Sequence, residues 1–415
     1  MTSREKVQLA LQHKPGPVPL DMGLLPTTGI HVLILERLRA YYGLEKRIPV
    51  VLEPYQMLGL VEDDLREAVG IDTTPLWSPW TMYGFRNESF KEWKTPWGQT
   101  VHIAKDFITT EDDHSVYVYA KGDTRFKPAG EMPKNSFFFD STIRQHPIDD
   151  DALNPEDNLE EFGPVSDEDL AWYRDRAREL RDSPYFVGGN LGGTAIGDIA
   201  CVPGPMLPDP KGIRDVQEWY VSTALRPEYL HGIFEKQTDI ALLNLEKMHA
   251  ALGDSIGLAY VCGNDFGTQG GPFCSTETFR SLYAPYYRRI NDWIHTHTTW
   301  KTFKHSCGSI LPLIPELIDV GFDILNPVQW TAKNMDPRTL KREFGKDIVF
   351  WGAGVDTQNT LPFGTPESVR EEVLRMCDIF SGDGGFVFNT VHNVLANTPI
   401  ANLVAMFDAL KAFNR

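Results

Sequence analysis

The feature that most constrains the fold of this 415-residue chain is a regular alternation of short apolar runs with helical stretches. VPLDM (18–22) opens the series, and GIDTTPLW (70–77) follows the helical EDDLREAV. YFVGGN (185–190) follows DEDLAWYRDRARELR, and IGLAYVCG (256–263) follows a long helical run over about 227–252. TFKHSCG (302–308) follows TETFRSLYAPYYRRINDWIHTH, and FDILNP (322–327) follows ILPLIPELIDVG. DIVFWGAG (347–354) follows PRTLKREFG, GFVFNT (385–390) follows PESVREEVLRMCDIF, and PIANLVAMFDALKAF closes the chain as a last helix. Strands that alternate with helices form parallel βαβ units. Eight of them predict an α/β fold of the (β/α)8 TIM-barrel kind, with an open doubly wound sheet as the alternative.

A barrel takes about 250 residues, so much of this chain is elaboration on one barrel domain spanning 1–415. An N-terminal helix is expected from about Ser3 to His13, with Ser3 as its cap. Residues 84–120 read as antiparallel strands with turns at TPWG and TEDD, and 147–168 as an acidic, solvated loop. Together they place a β-rich insertion with an acidic loop at about 84–168.

The net charge of −17 and pI near 5.1 disfavour nucleic acid as a partner. Five irregularly spaced cysteines argue for reduced thiols rather than a disulfide framework. The amphipathic N-terminus has no apolar core of a signal sequence, and no apolar run is long enough to span a membrane. A cytoplasmic enzyme is the expectation, with its oligomeric state open.

In a barrel, chemistry collects where the strands end, because the following loops converge on one mouth. Asp21 ends the first strand, Asn264 and Asp265 follow the fourth, and His305 and Cys307 end the fifth. Asn326 and Gln329 follow the sixth, Asp356 the seventh, and Asn389, His392 and Asn393 the eighth. His305 and Cys307 stand two apart, hence on one face of a strand, and imidazole and thiolate are both favoured zinc ligands. Gly308 lets the chain turn directly after them. So short a spacing is weak evidence by itself, and a packed cysteine beside a hydrogen-bonded histidine would look the same. Asp265, flanked by glycines in GNDFGTQGG, is a candidate ligand, base or loop cap. Tyr260, Phe266 and Trp330 either line a pocket or pack as core. GGNLGG (188–193) lacks the dinucleotide fingerprint and reads as a tight turn, and Cys377 reads as helix core.

The segments MTSREKVQLALQHKPGPVPLDMG, NDFGTQGGPFCSTETFRSLYAPYYRRI, HSCG, WGAGVDTQNTLPFGTPESVREEV and FNTVHNVLANTPIANLVAMFDAL together resemble the uroporphyrinogen decarboxylase superfamily, and within it the corrinoid-dependent methyltransferase branch. The resemblance runs over nearly the whole chain and is weakest over about 80–180. It implies a barrel and a zinc held by His-x-Cys and a later cysteine near the last strand. His305 and Cys307 match the first two ligands. Counting back from the TPIAN pattern (398–402) puts His392 where the family's cysteine stands, a departure that replaces a thiolate by an imidazole. In the decarboxylases a catalytic histidine sits near that place. The arginine- and aspartate-rich N-terminal motif of those enzymes is not visible here.

The resemblance therefore implies a zinc-dependent methyltransferase that moves a methyl group between a small methylated substrate or thiol and a corrinoid (cobalamin). His305, Cys307 and His392 are the expected metal ligands, with His392 and Asp265 as catalytic candidates. Asp265 is an alternative ligand or an acceptor that orients an imidazole. Asp21, Asn264, Asn326, Gln329, Asp356, Asn389 and Asn393 are the pocket candidates. The chain carries no Asp-x-His-x-x-Gly element of a cobalt-binding carrier, since DDHSVY (112–117) lacks the glycine, so the corrinoid would ride on a separate partner protein. The competing expectation is a carboxy-lyase acting on a carboxylated small molecule.

Overall fold

The computed structural model describes residues 1–191 and 194–415. Seven strands form one parallel sheet: β1 (Thr73–Leu76), β2 (Phe186–Gly189), β3 (Leu258–Cys262), β4 (Lys301–His305), β5 (Ile324–Asn326), β6 (Val349–Trp351) and β7 (Phe386–Val387). They lie side by side in chain order, each hydrogen-bonded to the next in parallel register. The ring is closed by residues 19–21. Asp21 N–H donates to Phe388 O (2.9 Å) and Phe388 N–H to Pro19 O (2.9 Å), while Asp72 N–H donates to Leu20 O on the other side (2.8 Å). VPLDM is thus the eighth stave of the barrel, although its pairing amounts to a single parallel bridge between Leu20 and Phe388. All eight apolar runs of the sequence fall in the barrel wall.

Helices separate the staves: α1 (Ser3–Leu11) before them, then α2 (Asp167–Leu180), α3 (Pro227–Leu252), α4 (Ala284–His297), α5 (Ile314–Asp319), α6 (Pro337–Phe344), α7 (Pro366–Phe380) and α8 (Ile400–Phe413). Alternation along each strand sorts the side chains into two cores. Phe186, Leu258, Phe303, Ile324, Val349, Trp351 and Val387 pack inside the barrel with Val7, Ala10 and Leu11 of α1. Ala259, Val261, Leu325, Phe350 and Phe386 face the helical layer, with Cys377 at 0 % exposure among them. Gly188 and Gly189 lie within β2, whereas Gly192 and Gly193 of the GGNLGG stretch fall outside the described residues.

The expected cap of α1 moves by one residue. Thr2, not Ser3, accepts from Glu5 N–H (3.2 Å), and the Glu5 carboxylate accepts from Thr2 N–H (2.8 Å). That reciprocal box needs a Glu three residues past the cap; Ser3 has Lys6 there. Ser3 Oγ instead donates to Asp72 (2.7 Å) and ties α1 to the barrel wall. The helix ends at Leu11, because His13 takes a left-handed conformation (φ 52°).

Phe90–Lys94 and Thr100–Ala104 form one antiparallel hairpin, and Thr109–Glu111, Ser115–Val118, Gly130–Pro133 and Asp140–Ser141 form a second sheet. The acidic stretch beyond them is not wholly solvated. Glu161 is buried, where it takes both guanidinium nitrogens of the fully buried Arg214 (2.7 and 3.1 Å). A buried guanidinium needs a carboxylate beside it, so one acid of the run turns inward. Among the described residues no helix is long and apolar enough to cross a membrane, and the five cysteines are unpaired.

Candidate metal centre

His305 is the last residue of β4 and shares the inward face with Phe303, which brings its ring to the top of the barrel interior. It is 4 % exposed. Nδ1 lies 2.6 Å from Asn326 Oδ1 at the end of the neighbouring β5. An amide oxygen only accepts, so Nδ1 carries the proton and Nε2 presents its lone pair. Nε2 lies 3.4 Å from Cys307 Sγ and 3.6 Å from Asp265 Oδ1. His392, half-buried on the loop after β7, turns its ring against His305 at 5.6 Å between centroids and an interplanar angle of 73°. One donor atom from each of His305, Cys307 and His392 lies within 4.8 Å of the other two.

Glycines make this convergence possible. Gly308 has φ +85°, and a Cβ there would sit 2.3 Å from the Gly267 carbonyl carbon. A Cβ on Gly267 would in turn meet Cys307 O at 2.6 Å. The loop after β3 therefore packs backbone to backbone on the turn after β4. That close approach lets Asp265 Oδ1 accept from Cys307 N–H (2.7 Å), while Gln329 Oε1 accepts from Gly308 N–H (2.7 Å). Tyr220 Oη holds the other side of the loop by donating to Asp265 O (2.9 Å).

The protonation states follow from burial. Both imidazoles are pushed down to about 4: His305 by desolvation with Lys304 adding to it, His392 by desolvation and then by His305. Neutral imidazoles are the form that binds a metal. Burial, with Asp265 beside it, pushes the Cys307 thiol well above its usual range, so the metal-free site holds a thiol.

The remaining pocket candidates divide. Asn326 orients His305 and also donates to Trp351 O (3.0 Å). Asp21, fully buried, accepts from Trp351 Nε1 (2.8 Å) and Thr73 Oγ1 (2.7 Å), and burial raises it to about 6. Asn389 donates to Asp21 O (2.8 Å). These two form the wall around Trp351. Gln329, Asp356 and Asn393 fasten loops: Gln329 accepts from Gly308 N–H of the turn after β4, Asp356 accepts from Gln358 and Asn359 N–H in its own loop, and Asn393 accepts from Gly29 N–H and donates to Pro26 O and Gln56. Asn264 is buried beside Gly197, and its backbone oxygen accepts from Lys304. Phe266 is core among Phe279 and Tyr283, Trp330 donates to Ala353 O (3.1 Å), and Tyr260 faces the barrel interior against Phe303.

Sequence reasoning passed over Lys304. It sits on the outward face of β4, fully buried, with Nζ donating to Asn264 O (2.6 Å) and His305 O (2.5 Å), and burial lowers it from the usual lysine range. Its signal was a lysine inside the apolar run TFKHSCG, at a strand position that must face the helices.

Residues 209–413 match the family described as uroporphyrinogen decarboxylase (URO-D). The matched stretch, just under half of the chain, is similar to that family. The residues of the candidate metal centre, 305–307 and 392, lie within the matched stretch. A protein named uroporphyrinogen decarboxylase, from Pelobacter propionicus, is 24 % identical over 239 residues, 57 % of this chain and 63 % of its own length. A second of that name, from Vesicomyosocius okutanii, is 22 % identical over 192 residues, 46 % of this chain and 50 % of its own. The chain thus spans less than two thirds of these relatives. The solved structure of a methyltransferase from Methanosarcina mazei superposes with a TM-score of 0.57 at 13 % identity, covering 100 % of both chains, and shares the fold.

Proposed function

We propose that this protein is a zinc-dependent methyltransferase that moves a methyl group between a small methylated substrate, or a thiol acceptor, and a corrinoid carried by a separate protein. The observation that carries the reading is the meeting of His305, Cys307 and His392 donor atoms within 4.8 Å. Their chemistry fits the ion. Tetrahedral zinc with bonds of about 2.0–2.3 Å sets ligand atoms roughly 3.3–3.7 Å apart, and the His305–Cys307 separation of 3.4 Å falls in that range. Three protein ligands leave a fourth position for a substrate atom, which marks catalytic rather than structural zinc sites. Zinc held there would supply Lewis acidity to a methoxy or thioether group, or lower the pKa of a bound thiol or water.

The chain's own residues do the rest. Asn326 holds His305 in the tautomer that offers Nε2. Asp265 fixes the Cys307 backbone and stands 3.6 Å from His305 Nε2, within reach to act as a proton acceptor. Two imidazoles and one thiolate carry less negative charge than one imidazole and two thiolates. That donor set favours polarising an oxygen or sulfur of the substrate over making a thiolate more nucleophilic. The half-buried position of His392 leaves a way in from the barrel mouth.

A second reading, a carboxy-lyase using His392 and Asp265 as acid and base, draws on the names of the curated relatives. Elemental analysis decides between them. Wild-type protein should hold one zinc per chain, and His305→Ala and His392→Ala should each lose it. Metal-free protein that releases carbon dioxide from a carboxylated substrate, with the same rate in His305→Ala, would overturn the methyltransferase reading.

A further inference from the structure

We propose that Lys304 is a positioning residue of the metal centre: its ammonium ties the His305 carbonyl to the Asn264 carbonyl and so sets the spacing between the two loops that carry His305, Cys307 and Asp265. The inference rests on the metal reading of the site given above.

Lys304 is 0 % exposed, and its two hydrogen bonds go to backbone oxygens rather than to a carboxylate. The carboxylates of Asp198 and Asp265 act on it only through space, and a buried charge with no hydrogen-bonded counter-charge is costly to keep, so its place needs a reason beyond packing. The ammonium has three donors. Two meet carbonyls from different strands, at 2.6 Å (Asn264 O, after β3) and 2.5 Å (His305 O, end of β4). The Phe266 ring lies over Nζ at 5.1 Å and the Tyr287 ring at 5.8 Å, which supplies attraction from two aromatic faces.

The consequence is geometric. Asn264 and Asp265 are consecutive, as are Lys304 and His305, and Cys307 follows two residues on. A clamp between Asn264 O and His305 O thus holds one side of the seam whose other side is the Cys307 N–H to Asp265 bond at 2.7 Å. The β3–β4 register shifts between Tyr260 and Cys262 and its last pair is Cys262–Lys304, so the sheet does not fix the two loops beyond that pair. Lys304 does so instead, from behind the ligands and out of reach of substrate. Shell residues of this kind commonly govern metal affinity by about 10–100-fold.

The test compares wild type, Lys304→Met and Lys304→Gln, the last retaining a donor for one carbonyl should the methionine variant fail to fold. Zinc affinity is read by chelator competition, the ligand field by the visible spectrum of the cobalt(II)-substituted protein, and folding by thermal melting. The expected result is that wild type binds one zinc and that the folded variant binds it about 10–100-fold more weakly. A shifted cobalt spectrum should accompany the loss, which packing changes remote from the ligands would not produce. Variant protein that matches wild type in affinity and spectrum overturns the role of Lys304 and leaves the metal reading standing. Wild-type protein that takes up no zinc overturns the metal reading, and this inference with it.

Discussion

Asn326 Oδ1 receives the Nδ1 proton of His305 across 2.6 Å, joining the ends of two adjacent barrel strands through side chains. The same amide donates to Trp351 O at 3.0 Å, so its orientation is fixed from both ends and cannot be flipped without losing both bonds. Asn326→Leu should therefore leave a folded protein whose zinc affinity falls about 10–100-fold, the range for loss of a residue that orients a ligand. The measurement is chelator competition on the purified variant. An affinity equal to wild type would mean that His305 needs no orienting partner.

The contact between Gly308 and Gly267 makes a second expectation. At φ +85° a side chain costs about 1–3 kcal/mol in backbone strain, and here the added Cβ would also collide with the Gly267 carbonyl at 2.3–2.4 Å. Backbone cannot swing aside as a long side chain can. Gly308→Ala should lower stability in urea titration by more than the strain figure alone and should weaken zinc binding, since the Asp265–Cys307 seam opens. Gly271→Ala in the same loop, where an added Cβ meets nothing within 4 Å, is the control and should change neither.

The barrel was legible because each stave is an apolar run bounded by helix and turn signals, and that pattern survives even where the pairing is as slight as at Leu20. The His305–Cys307 pair was legible because residues two apart on a strand share a face. His392 was placed at the barrel mouth by its position after the last strand, and its ligand role came from a resemblance; nothing in its local sequence announces that the loop after β7 folds back over β4. Asp356 and Asn393 also serve a structural need of the loops. Loops at the strand ends need side-chain acceptors for their own N–H groups, and these residues meet that need. Composition at a barrel mouth does not separate a loop fastener from a substrate contact. Lys304 was illegible because a lysine within an apolar run reads as an interruption until the two carbonyls beneath it are placed.

His31 makes stability acid-sensitive through a group outside the candidate ligand set. Its Nε2–H donates to Phe137 O (2.9 Å), while Nδ1 accepts from Leu33 N–H (3.1 Å) and caps the helix Val32–Tyr41. Burial lowers it to about 4, against about 6.5 in an unfolded chain. A depressed histidine binds fewer protons folded than unfolded, so its contribution is complete above pH 6.5 and is lost as pH falls toward 4. The loss is on the order of 3 kcal/mol. His31→Asn keeps a capping acceptor and removes the titration. Its stability, measured by urea unfolding, should fall less steeply than wild type between pH 6.5 and 4; parallel curves would show that His31 does not titrate in that range.

Asp265 also governs the reactivity of Cys307. Burial raises the thiol first and the carboxylate raises it further, by disfavouring a second negative charge beside it. Asp265→Asn removes that charge and keeps an oxygen to accept from Cys307 N–H, so the turn after β4 should persist. The thiol should then ionise at lower pH, and thiolate is the nucleophile. In metal-free protein at fixed pH, iodoacetamide should modify Cys307 several-fold faster in the variant than in wild type, with the site read by peptide mass mapping. Zinc should slow modification of Cys307 in both, because coordination draws electron density from the sulfur and lowers its nucleophilicity. An unchanged or slower rate in metal-free Asp265→Asn would show that the carboxylate does not set the thiol's ionisation, and would leave Asp265 only its bond to the backbone.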